Sequence, residues 1–336
     1  MKKKIFFSKS YGKLLKIKNN FFIENKSNLG RALKKNRLYK LNKLRKKCKI
    51  CFTKISGYDF ESFGIKYKFC KKCTHLNGIY EDSKKFANKV YNINQGSLYA
   101  LNYNYEYINR VKHIYLPKIN FLKKIVKKKL TILDVGCGAG HFLKACEIKK
   151  ISAEGIEANT KLCNLSKKFL KKNKLSNVDL DYFEDKILNT NKSCVSLIGV
   201  LEHLTEPHKV FEAFKKSEAK FLFISVPLAS FTLFIEHAFK EIFPRHLSGT
   251  HTHLFTEKSI SYLKKKYNLN VIGEWWFGLD FPDLFRSILV SSKSKKNRIF
   301  TDKLEKYFYR HLDEFQNILD RNKICSEVHL IFKKKK

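Results

Sequence analysis

Acidic residues are scarce in this chain: 30 Asp and Glu stand against 69 Lys and Arg over 336 residues, a formal charge of +39. Such an excess ordinarily points to nucleic acid or an anionic membrane surface. Here lysine far outnumbers arginine in a sequence also rich in Asn, Ile and Phe, which reads as compositional drift, since a phosphate reader favours the bidentate fork of arginine. Long apolar runs are missing as well. The best candidate, Phe221 to Ile235, is too short to span a bilayer, contains Pro227 and is flanked by Lys220 and Glu236, so a buried strand leading into a loop or helix is expected. After Met1 and three lysines only Ile5, Phe6 and Phe7 precede polar residues. No export signal is read there, and a cytoplasmic location is expected. In that setting the 9 cysteines point to thiols and metal rather than disulfides.

What is present is organised around Leu130 to Glu157. An apolar run (Leu130, Ile132, Leu133, Val135) ends in glycines at alternate positions, Gly136, Gly138 and Gly140, and gives way to helical spacing at Phe142, Leu143, Cys146 and Ile148. That is a buried strand, a tight turn and a helix. A second short strand, Ile151 to Ile156, follows and leads to Glu157, at the distance where nucleotide-binding folds place an acid for ribose hydroxyls. The turn is not a dinucleotide fingerprint, because His141 occupies the position of its last glycine. Nor does any G-K-[ST] follow, which excludes a triphosphate-binding loop.

The segment Asp134 to Gly140, D-V-G-C-G-A-G, resembles motif I of the class I S-adenosylmethionine-dependent methyltransferases. The resemblance implies an α/β, Rossmann-like seven-stranded methyltransferase sheet binding S-adenosyl-L-methionine. Its ligand-binding residues would be Asp134, Gly136, Cys137, Gly138 and Gly140, with Glu157 on the ribose, Glu184 and Asp185 at the adenine, and Val200 and Leu201 after strand four. Val200 to Pro207, V-L-E-H-L-T-E-P, is similar to the L-E-H-L run of class I enzymes acting on small molecules. Ubiquinone-pathway relatives carry a further metal-holding Glu three residues before the Glu of that run; Gly199 stands there, so no catalytic metal is expected. The [DNS]-P-P-Y signature of enzymes that methylate base amines in nucleic acid is missing.

Ahead of this unit lies C-x2-C-x18-C-x2-C, formed by Cys48, Cys51, Cys70 and Cys73, inside the spacing range of a structural zinc ribbon. The expected division is a basic N-terminal arm at 1–47 and a zinc ribbon at 48–80. A tyrosine-rich helical linker or lid follows at 81–125, then a methyltransferase domain at 126–336 with a helical insertion near 280–323. Within that last unit the periodicity predicts a helix over 162–175, a strand over 178–183, strands at 194–200, 221–226, 271–278 and 327–332, an exposed basic loop at 291–298 and a helix over 304–319.

Arg245 to Thr256 holds three histidines, and H-x-H-L-F-T recurs at this position in methyltransferases with an N-terminal zinc ribbon found with bacterial surface-polysaccharide genes. His203, His251 and His253 are the candidate general bases, with Asp280 as orienter. The function expected is methylation of oxygen or carbon on a sugar nucleotide or glycan precursor. RNA methylation is the second reading and a non-catalytic adaptor the third. The expected partners are the acceptor alone, with no membrane span and with nucleic acid disfavoured.

Overall fold

The computed structural model describes residues 3–10, 24–90, 106–248, 251–293 and 298–335. Twelve strands follow in chain order among them: β1 (Lys4–Phe7), β2 (Phe60–Ser62), β3 (Ile65–Phe69), β4 (Leu76–Gly78), β5 (Thr131–Val135), β6 (Ser152–Glu157), β7 (Lys174–Asn177), β8 (Cys194–Ile198), β9 (Phe221–Pro227), β10 (His253–Leu254), β11 (Leu269–Phe277) and β12 (Glu327–Lys334). Eight of them form one sheet in the order β1-β11-β12-β9-β8-β5-β6-β7, and four form a second in the order β10-β4-β3-β2. In the large sheet only β12 runs antiparallel to its neighbours. The other pairings, β1 on β11 included, are parallel.

A parallel sheet covered by helices on both faces needs strands that are apolar throughout. β9 meets that demand: every residue of Phe221–Pro227 is buried, and each large side chain there contributes roughly 1.5–3 kcal/mol of burial. The run that imitates a membrane segment in the sequence is therefore this central strand followed by the helix Phe231–Ala238. Among the described residues no helix is long and apolar enough to cross a membrane.

Several boundaries differ from the sequence expectation. The sheet has eight strands, not seven, because β1 pairs along β11 from Lys4↔Gly273 to Phe7↔Trp276. The span expected as a basic arm thus supplies an edge strand, and also a 16-residue helix, α1 (Asn25–Lys40), whose Ala32, Asn36 and Tyr39 are buried. The helix expected over 162–175 stops at Ser166, as α2 (Thr160–Ser166), with Asn159 Oδ1 accepting from Leu162 N at its start. β7 lies four residues ahead of the predicted strand, since Asp179 caps a turn that leads into α3 (Phe183–Leu188). The helix expected over 304–319 is two, α5 (Arg298–Phe308) and α6 (Leu312–Arg321), and Ser291 to Lys293 close the helix α4 (Asp280–Lys293) rather than lying in a loop. Of the tyrosines at 81–125, Tyr91, Tyr99, Tyr103 and Tyr105 fall outside the described residues, while Tyr107 and Tyr115 are packed against the large sheet's helices.

Candidate functional site

β5 ends at Val135, and the chain turns away through Gly136, Gly138 and Gly140 with φ of 65°, 58° and 75°. All three lie in the left-handed region that L side chains avoid. Gly136 also has no room, since a Cβ there would sit 2.8 Å from Val200 Cγ2, whereas the space around Gly138 is open. Glu157, at the end of β6, holds this turn from the adjacent strand. Its Oε2 accepts from Gly138 N at 2.8 Å and its Oε1 from Asn159 N at 2.9 Å. One carboxylate therefore fixes both the glycine turn and the start of α2. Burial raises the Glu157 pKa. Asp134, beneath the turn, accepts from Ser196 Oγ at 2.7 Å, and burial pushes its carboxyl up to about 7. Tyr107 donates to Ala139 O at 3.0 Å and stacks on His141 with ring centres 4.2 Å apart, so the 81–125 stretch braces the turn from outside.

A cavity of about 800 Å³ opens along the carboxyl ends of β5, β6, β8 and β9 and the amino end of antiparallel β12. Open α/β sheets bind ligands at this edge. At one end it is lined by the glycine turn, Glu157, Leu180, Asp181, Phe183 and Glu184. Asp185, predicted at the adenine, is exposed on α3 and outside the lining, and Asp181 takes its place. Val200 lines the cavity, while Leu201 is fully buried behind it.

The other end holds Glu202, His203, His246 and His251. His203 and His251 stack with ring centres 4.9 Å apart. His253 does not join them. Two residues beyond His251 the chain enters β10, where pairing with β4 carries His253 into the small sheet and its Nδ1 lies 2.9 Å from His75 Nε2. Asp280 also lies elsewhere: its Oδ1 accepts from Ser230 Oγ and Thr232, its Oδ2 from Ser326 N and Gln316 Nε2, and it orients no histidine. Neither is among the residues lining the cavity.

The loop carrying Arg245, His246 and His251 is tied down by buried Glu236, whose carboxylate accepts from the backbone amides of Arg245, His246 and Leu247 at 2.7, 3.0 and 2.7 Å. Burial pushes Glu236 up to about 7. Facing these histidines across the cavity are Arg31 and Lys35 of α1, together with Arg245, whose guanidinium meets Asp283 at 2.7 Å. Lys35 has no ion-pair partner among the described residues, and burial with Arg31 beside it lowers its pKa to about 8. These residues carried no motif in the sequence. A one-turn periodicity in α1 was the only signal available.

Below the second sheet the four cysteines converge. Cys51 and Cys70 sulfurs are 3.3 Å apart, those of Cys48 and Cys73 are 3.6 Å apart, and all four lie within 4.8 Å of one another. Thiolates about 2.3 Å from one tetrahedral ion stand about 3.8 Å apart, so this donor set fits Zn²⁺. Each pair sits on the same knuckle. Phe52 N returns to Cys48 O at 3.0 Å and Thr74 N to Cys70 O at 2.8 Å, and both Phe52 and Thr74 take positive φ. β10 completes this sheet by pairing with β4, which joins the cysteine module to the segment bearing His251.

No curated protein matches the chain significantly. Among solved structures it is similar to magnesium protoporphyrin IX methyltransferase from Synechocystis PCC 6803 with bound SAH, at 9% identity and a TM-score of 0.47, covering 76% of this chain and 100% of that one. A SAM dependent methyltransferase from Archaeoglobus fulgidus matches at 15% identity and a TM-score of 0.42, over 75% and 100%. The cyclopropane synthase MmaA2 from Mycobacterium tuberculosis matches at 15% and 0.42, over 66% and 85%. A family described as a methyltransferase domain covers residues 107–274, half of the chain, from the helix bracing the glycine turn to β11. The chain belongs to that methyltransferase family.

Proposed function

We propose that this protein transfers the methyl group of S-adenosyl-L-methionine to an anionic small-molecule acceptor, with a sugar nucleotide or glycan precursor as the class that fits best. The observation that carries this is the continuity of one cavity, with the glycine turn and Glu157 at one end and two histidines facing the unpaired Lys35 at the other. Gly136 to Gly140 would hold the cofactor's amino-acid part, Glu157 its ribose hydroxyls, and Leu180 and Glu184 its adenine. Arg31, Lys35 and Arg245 then offer positive charge to a phosphate or carboxylate on the acceptor.

When bound, S-adenosylmethionine would supply an activated methyl that an acceptor oxygen takes as the carbon–sulfur bond breaks, giving S-adenosylhomocysteine. The acceptor's proton passes to the histidine pair at this end of the cavity, where His203 lies 3.9 Å from Glu202. The donor is activated by its own charge, so alignment in the cavity supplies most of what the protein adds. A zinc ion at Cys48, Cys51, Cys70 and Cys73 would be structural, since four thiolates leave no open position.

Calorimetry with S-adenosylmethionine tests the first half: micromolar binding that Glu157→Ala abolishes supports it, and absence of binding overturns the enzymatic reading in favour of an adaptor. For the second half, Lys35→Ala should raise KM for a sugar-nucleotide acceptor at least about tenfold with kcat little changed. Turnover on RNA with steep salt dependence, and none on sugar nucleotides, would replace the acceptor class.

A further inference from the structure

The Glu202, His203 and His251 side chains each offer a ligand atom within 4.8 Å of the others, and all three face the cavity. Glu202 is 3% exposed, and its Oε2 is buried with no hydrogen-bond partner. Nδ1 of His251 is buried and unpartnered in the same way. Burying an unpaired carboxylate oxygen costs several kcal/mol in a protein interior, so such a group takes a proton, a counter-ion or a metal. No lysine or arginine forms an ion pair with Glu202 among the described residues, the nearest cationic candidate being His203 at 3.9 Å. Glu327 lines the same cavity, with Lys118 Nζ 3.4 Å from its Oε1. The side facing Gly199 is bare, since a Cβ there would lie 3.7 Å from Glu202 Oε1. His251 approaches from the loop held by Glu236.

We propose that Glu202, His203 and His251 bind a divalent transition-metal cation, Mn²⁺ or Zn²⁺ in class, at the acceptor end of the cavity. One carboxylate and two imidazoles are the ligand chemistry of such ions. Ligands about 2.1 Å from one tetrahedral ion stand about 3.4 Å apart, inside the 4.8 Å that bounds this group. Three protein ligands leave positions open to an oxygen of the acceptor. The inference rests on the proposed function and refines it: with the ion bound the two imidazoles are its ligands, and the ion in place of a free histidine acidifies the acceptor hydroxyl. Its test needs neither cofactor nor acceptor, so either idea can fail alone.

The full chain, purified with its cysteine site zinc-loaded, is titrated with Mn²⁺ while electron paramagnetic resonance reads the free ion, and total zinc is measured in parallel. Saturable uptake of one Mn²⁺ per chain is expected, displaced by added Zn²⁺. His251→Ala and Glu202→Gln should weaken it at least about tenfold while zinc at the cysteines and S-adenosylmethionine affinity stay at wild-type values. No saturable uptake by the wild-type chain overturns the proposal. So does uptake unchanged in both variants. Should His251→Ala lose S-adenosylmethionine binding as well, His203→Asn replaces it in the same assay.

Discussion

At the scale of single residues, Gly136 and Gly138 separate the cost of folding the turn from the cost of blocking it. Both have positive φ, so an alanine at either carries roughly 1–2 kcal/mol of backbone strain. Only at Gly136 does the new Cβ collide, with Val200 Cγ2 at 2.8 Å. Gly136→Ala should therefore lower Tm more than Gly138→Ala, by a few degrees in thermal melts. Gly138→Ala fills the open space over the turn, so calorimetry should show it losing S-adenosylmethionine affinity out of proportion to its stability loss. Equal Tm changes with unaltered affinity at Gly138 would mean that the ligand lies elsewhere. The glycine turn and Glu157 were legible in the sequence because their demands are local: a positive φ needs glycine, and a strand end at fixed spacing carries the acid. The partners of Asp280 were not legible. Ser230, Thr232, Gln316 and Ser326 reach it from three other segments, and nothing in the local spacing distinguishes that buried node from a catalytic orienter.

Among the elements, the four-stranded sheet links the cysteine site to the cavity through β10. His253 and Leu254 pair with Asn77 and Leu76 of β4, and Gly78 N bonds to Thr252 O at 2.9 Å. These contacts hold the chain one residue beyond His251. Cys73→Ser, which removes one thiolate, should cut zinc content and loosen this segment without touching the glycine turn. The expected result is S-adenosylmethionine affinity within a few-fold of wild type and methyl transfer reduced at least about a hundredfold, since a misplacement near 1 Å costs that much. Loss of cofactor affinity to the same degree would show instead that the small sheet supports the whole fold. The C-x2-C pairs announce themselves, because a metal knuckle imposes its spacing on adjacent residues. β1 and α1 did not, since a four-residue edge strand in a lysine-rich lead has too few apolar residues to show a period. They are fixed by pairing with β11 and by packing around Tyr39, more than thirty residues away in each case.

The whole molecule's response to pH follows from how many ionisable groups it buries in neutral form. Burial is the leading cause that lowers the pKa of His75, His141, His208, His246, His251, His253 and His329, with His141 near 3 and His246 near 4. Below about 6.5 the unfolded chain protonates these imidazoles and the folded chain does not, so each one removes stability as pH falls. Asp134 and Glu236, pushed up to about 7, and Glu202, pushed up to about 8, act in the opposite sense. The folded state keeps those protons where the unfolded state has released them, so stability is lost as pH rises through 7 and 8. Lys9 and Lys49, lowered to about 8, enter only above that range. Asp320, pushed up to about 6, and Glu157 and Glu184, raised by burial, act in the same sense as those carboxyls. The histidines thus penalise acid and the carboxyls penalise alkali. Thermal melts across pH 5 to 8 should accordingly show a maximum between the two, near pH 6.5. His141→Phe keeps a ring to stack on Tyr107 and Tyr115 but removes one of the seven protons, so its maximum should move to lower pH. A maximum that stays in place would show that His141 takes up its proton equally well in both states.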